Sequence, residues 1–141
     1  MGNRSGPYLV TFSTDENIPH NPQLLRIMVS EEKTRIDCGY LAKRYYVKGG
    51  WITIAPVTYI QVEGLTKKFN LIKAIGIPIT PEKWEFESTK DWKVFTLVFE
   101  PIPIKSCTIN IIESLEPVGN FFNYFNIALS MENRMVCLDD W

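Results

Sequence analysis

Three cations interleave with three aromatics in Lys43-Arg44-Tyr45-Tyr46-Val47-Lys48-Gly49-Gly50-Trp51, beside a flexible glycine pair. Rings in such a mixture can stack on a sugar, a base or a partner's side chain while the cations hold an anionic group. Lys43, Arg44, Tyr45, Tyr46 and Trp51 are therefore the candidate ligand-binding residues. The alternative is ordinary sheet surface, with Tyr45 and Tyr46 straddling an edge strand, Trp51 filling the core and the cations in solvent.

Other chemistries find less support. Asp37, Asp91, Glu100 and Glu113 lie in or beside strand-like runs, and two carboxylates about 5–9 Å apart would serve as acid and base on a glycoside. The competing expectation is structural: Glu100 and Glu113 accept backbone amides or pair with a lysine, and Asp37 pairs with Arg35 for about 0–1 kcal/mol. His20 is the sole histidine and stands between prolines in Pro19-His20-Asn21-Pro22, without the serine elbow or acidic partner of a nucleophilic triad. Cys38, Cys107 and Cys137 form no C-x-x-C pair, which argues against structural zinc. One disulfide stays open, although an odd count fits three small buried hydrophobes better. Gly49-Gly50 lacks the following helix of a phosphate loop. No catalytic residue, metal ligand or cofactor is assigned.

Composition points the same way. The 141 residues carry 15 basic and 16 acidic side chains, a net charge of -1, so no global field would hold the chain on nucleic acid. Hydrophobic residues at 45% and charged residues at 22% describe a soluble globular chain rather than a disordered one. Met1 to Val10 lacks the apolar run of an export signal, which implies a cytoplasmic location, or an extracytoplasmic one if a leader was removed. No stretch approaches the roughly 20 apolar residues of a spanning helix. Asp139-Asp140-Trp141 reads as a frayed terminus or strand edge rather than a docking tail.

The elements that must position these residues read as strands. In 93–100, Phe95, Leu97 and Phe99 alternate with Val94, Thr96 and Val98, a period of two. Pro101 and Pro103 stop that run. Residues 107–113 resume it, as a hairpin or a sheet-crossing partner. Shorter runs at 8–13, 24–29, 34–40, 51–54, 58–62 and 69–75 have the spacing of a sandwich or small barrel. Polar turns are predicted at 30–33 and 63–66. Helix is confined to one or two turns: Thr80-Pro81-Glu82-Lys83 offers an N-cap and a first-turn proline, and 119–125 is ambiguous before a strand at 126–130. Residues 1–6 are expected to be flexible and 7–141 to form one domain.

Taken together, Gly49-Gly50-Trp51-Ile52-Thr53-Ile54, Thr58-Tyr59-Ile60, the 71–78 run, the Phe95 to Pro103 strand end and Ile109-Asn110-Ile111-Ile112-Glu113 resemble an uncharacterised small bacterial β-sandwich domain. That domain also occurs as an N-terminal extension of secreted thioredoxin-like proteins. The resemblance covers about residues 34 to 130. It implies an immunoglobulin-like sandwich, narrowing the all-β expectation to two packed sheets, and it supplies no catalytic residues. The function expected is a non-enzymatic binding or assembly module with a protein or carbohydrate partner. A carboxylate-based hydrolase and a structural subunit of an oligomer are the alternatives.

Overall fold

The computed structural model describes residues 7–14, 21–42, 50–88, 90–116 and 121–131. They hold ten strands: β1 (Tyr8–Thr14), β2 (Gln23–Val29), β3 (Thr34–Leu41), β4 (Trp51–Ile52), β5 (Tyr59–Val62), β6 (Lys68–Ile75), β7 (Trp84–Glu85), β8 (Trp92–Phe99), β9 (Cys107–Ile112) and β10 (Tyr124–Ser130). Eight of them close into a barrel in the order β1-β10-β9-β5-β6-β8-β3-β2, and β4 pairs with β7 as a separate ribbon. Every strand pair is antiparallel.

Closure depends on two strands that divide their hydrogen bonds. The first half of β1 pairs with β2 (Tyr8↔Val29 to Val10↔Ile27), and its second half pairs with β10 (Thr11↔Ser130 to Thr14↔Ile127). Likewise β6 gives residues 68–70 to β5 and 71–75 to β8, with a register shift between Leu71 and Lys73. Strands that change sheet at a bend or bulge make the corners of such structures. The expected two-sheet immunoglobulin-like sandwich is therefore corrected to a closed eight-stranded barrel. The same inward alternation fills either architecture, and what separates them is the shared pairing of β1 and β6.

The strands β9-β5-β6-β8 form a Greek key, in which β9 returns beside β5 after the β5-β6-β8 meander. The 93–100 and 107–113 runs are consequently not a hairpin. The 100–106 connection carries the chain past β6 and β5.

No helix occurs among the described residues, and none is long and apolar enough to cross a membrane. The helical turn predicted at Thr80-Pro81-Glu82-Lys83 is instead drawn into tertiary pairing. Thr80 donates its N–H to the Ile54 carbonyl, Ile54 donates to Pro78, and Glu82 closes a turn on Ile79. The ambiguous aromatic segment is irregular at 121–123 and enters β10 at Tyr124. The polar turn at 30–33 forms as predicted, with Ser30 Oγ accepting the N–H groups of Glu32 and Lys33 at 3.1 and 3.2 Å.

Inward residues alternate along each strand: Ile36, Cys38 and Tyr40 on β3; Phe95, Leu97 and Phe99 on β8; Ile109 and Ile111 on β9; Ile127 and Leu129 on β10. An eight-stranded barrel is just wide enough for such side chains to fill it. Phe99 is wholly buried where β8 meets both β3 and β6. Phe99→Ala should therefore cost about 3–5 kcal/mol, read as a lower urea midpoint with little change in slope.

Candidate functional site

The two ends of the barrel differ in their connections. At one end the turns are short, 30–33 and 63–67, with the 100–106 crossing beside them. At the other end lie the described parts of four longer connections: 21–22, 50–58, 76–88 with 90–91, and 113–116 with 121–123. Long loops on a rigid frame are where binding residues concentrate.

Residues 50–58 and 76–88 cap this end by pairing with each other. Trp51 lies opposite Glu85, Ile52 opposite Trp84, and Ile54 bridges Ile79 in parallel. Phe86 donates its N–H to Gly50 at 2.9 Å, and Ala42 donates to Asp91 at 2.9 Å. Ile52, Ile54, Ile77 and Phe86 are buried beneath the cap, where Tyr40 packs at 5.9 Å from Phe86 and 5.7 Å from Phe122 between ring centroids. Gly76 makes the turn out of β6 with φ of 84°, a conformation that glycine adopts without steric cost.

Glu113 fastens the cap to the barrel. Its carboxylate accepts the Ala55 N–H and the Phe122 N–H, each at 2.8 Å. Asn123 Oδ1 accepts the N–H groups of Glu113 and Ser114, and Asn21 donates to the Asn123 carbonyl at 2.7 Å. The buried acid thus joins two loops, and Asn21 ties a third to the neighbouring Asn123. Burial pushes the Glu113 carboxyl above the usual range, against the downward pull of its two amide donors.

Among the described residues, a void under the cap is too small for an organic ligand. Cys38, Ile54, Phe95, Ile111 and Phe122 help line a void of about 10 Å³ there. That is about the space of one water, against roughly 300–1,000 Å³ for a small-molecule site.

The candidate carboxylates are not brought together. Asp37 lies on the outer wall, Asp91 accepts the N–H groups of Glu87 and Ser88 in a cap turn, Glu100 accepts the Asn70 N–H at the opposite end, and Glu113 is enclosed under the cap. Asp37 accepts Arg26 Nε at 2.8 Å, Arg35 Nε at 3.0 Å and Thr96 Oγ1 at 2.7 Å. Burial opposes its charge, but these hydrogen bonds outweigh burial and hold the carboxyl below its usual value. Cys38 and Cys107 are free thiols, and burial pushes both up.

Of the predicted ligand-binding residues, Lys43, Arg44, Tyr45 and Tyr46 lie outside the described residues, as do His20, Cys137 and Asp139-Asp140-Trp141. Trp51 does not fill the core: it is 50% exposed, with Lys83 Nζ 4.2 Å from its ring centroid. Two further tryptophans, not singled out in the sequence, are also half exposed at this end. Trp84 is 45% exposed with Lys93 Nζ at 3.7 Å from its ring, and Trp92 is 52% exposed. Alternation did carry a signal for Trp92, because counting back from Thr96 and Val94 puts it on the outer face. Trp84 sits in a two-residue strand too short for any period to show.

No family model matches the chain, and no curated protein or solved structure matches it significantly. Its class is accordingly defined by its own geometry, an eight-stranded antiparallel Greek-key barrel with a two-stranded cap.

Glu113 gives this geometry a pH signature. Below the ordinary glutamate range the side chain is protonated in folded and unfolded chains alike. As pH rises the unfolded chain ionises first, so stability falls until the raised folded pKa is passed. The wild-type advantage in unfolding free energy over Glu113→Gln should therefore shrink as pH rises through and above the ordinary glutamate range. Chemical denaturation of both proteins across that range checks this sign.

Proposed function

We propose that the chain is a non-catalytic binding module that engages a protein or carbohydrate partner through the outside of its capped end. The observation that carries this reading is that Trp51, Trp84 and Trp92, all the described tryptophans, are each about half exposed there. Fully burying a large apolar side chain stabilises a fold by about 1.5–3 kcal/mol, and this core is filled by isoleucine and phenylalanine instead. Tryptophans held at a surface are the commonest anchors of recognition, because their area is buried only when a partner arrives.

The isoleucine and phenylalanine packing of the interior, with room for about one water in the void under the cap, supports the same reading. The hydrolase alternative has less support, because Asp37, Asp91, Glu100 and Glu113 stand at separate places, each engaged in local hydrogen bonds.

A Trp51→Ala/Trp84→Ala/Trp92→Ala variant tests the proposal. Wild type and variant are offered a display library of random heptapeptides and a panel of oligosaccharides. Wild type should retain ligands that the variant binds at least about 30-fold more weakly, while both unfold cooperatively. Equal binding by the two proteins, or no ligand retained by wild type, contradicts the proposal.

A further inference from the structure

The outer wall beside the cap is graded along its strands. Leu41 lies opposite Trp92 and Gly39 opposite Val94, while Asp37 lies opposite both Arg26 and Thr96. Beyond them Arg35 is opposite Val98, and Val98 is opposite Lys73. Leu25, Leu41, Val94 and Ile75, like Trp92, are exposed. An apolar tier nearest the cap therefore gives way to a cationic tier further down.

Trp92 is held against this wall by a missing side chain. A Cβ on Gly39 would stand 2.7 Å from both Cη2 and Cζ3 of Trp92 and 3.4 Å from Leu25 Cδ1. The far edge of the indole thus rests directly over the Gly39 backbone, while half of the residue's surface stays open.

The cationic tier is organised and underneutralised. Arg26 and Arg35 converge on one carboxylate, Asp37, at 2.7 and 3.0 Å. Lys73 makes no ion pair among the described residues. Among the described residues Arg26, Arg35 and Lys73 therefore share this tier with one acid, Asp37, while Glu100, the next outward residue after Val98, lies beyond it with its carboxylate on the Asn70 N–H. Each guanidinium carries five donors in a fixed fork, so both keep N–H groups beyond those given to Asp37. Glu31 and Glu32, in the turn after β2, bound this tier at the far end.

Resting on the binding-module reading, we propose that this wall docks an acidic peptide segment of a partner protein. An apolar side chain sits on Trp92 between Leu25, Leu41 and Val94, and carboxylates meet Arg26, Arg35 and Lys73. Leu41 and Arg35 are six residues apart on β3, about 20 Å at strand rise, so six or seven extended residues span the site. The aliphatic surround favours a peptide over a glycan, because sugar hydroxyls need polar side chains beside the stacking ring. Charge complementarity supplies the preference for acid and makes binding weaken with salt.

The random heptapeptide library, selected on wild type, should be enriched in sequences joining aspartate or glutamate to leucine, phenylalanine or tryptophan. A synthetic copy of the most enriched peptide, labelled with fluorescein, should bind at least about tenfold more weakly to Trp92→Ala and to Lys73→Glu. Gly39→Ala should weaken it as well, by displacing the indole while the barrel still unfolds cooperatively. Selection without acidic enrichment, but with sensitivity to Trp92→Ala, overturns this proposal and leaves the binding-module reading standing. Binding indifferent to all three tryptophans overturns both. Retention of acidic oligosaccharides in place of peptides overturns the peptide assignment.

Discussion

Closure of the sheet governs the rest of this molecule. An open sheet leaves a row of unpaired N–H and C=O groups along each edge, and only a barrel removes both edges. Here two strands achieve closure by dividing their pairing: β1 between β2 and β10, and β6 between β5 and β8. Each corner lets one sheet flow into the other. The barrel encloses a single interior, and its alternate residues have no choice but to fill it.

That filling decides where recognition can occur. Isoleucines and phenylalanines such as Ile36, Phe95, Phe99, Ile109 and Ile127 occupy the interior, and the void under the cap has room for about one water. Among the described residues the tryptophans, Trp51, Trp84 and Trp92, are left half exposed at the capped end. The cap over that end is a packed plug rather than a gate. It is tied down by backbone pairing between residues 50–58 and 76–88 and by Glu113, which holds amides from two loops at once. A buried acid with two amide donors gives precise placement at an electrostatic cost, consistent with its raised pKa.

Much of the strand content was legible in the sequence. Phe95, Leu97 and Phe99 face inward as period two requires, and Ser30 builds the predicted turn. The difference between sandwich and barrel was not legible, because it rests on which partner each half of β1 and β6 chooses, and alternation is blind to partner choice. The Thr80-Pro81 helix signal was local and lost to long-range hydrogen bonds from Ile54. At the site, Trp51 was visible as an aromatic beside a glycine pair, but its exposure depends on β4 pairing with β7, 34 residues downstream in the Trp51↔Glu85 register. Asp37, Glu100 and Glu113 were readable as structural acids, and Glu100 and Glu113 do accept the expected backbone amides. Gly39 gave no signal, since its role is defined only by the ring that rests over it.

The central claim is that both corner strands are shared, and nuclear Overhauser contacts across the two seams test it most directly. The closed barrel predicts cross-strand backbone contacts from β1 to both neighbours, Leu9 to Met28 and Ser13 to Ala128, and from β6 to both, Lys68 to Gln61 and Ala74 to Leu97. Contacts from either corner strand to one neighbour alone, with fast amide exchange along the unpaired side, would show two separate sheets and contradict it.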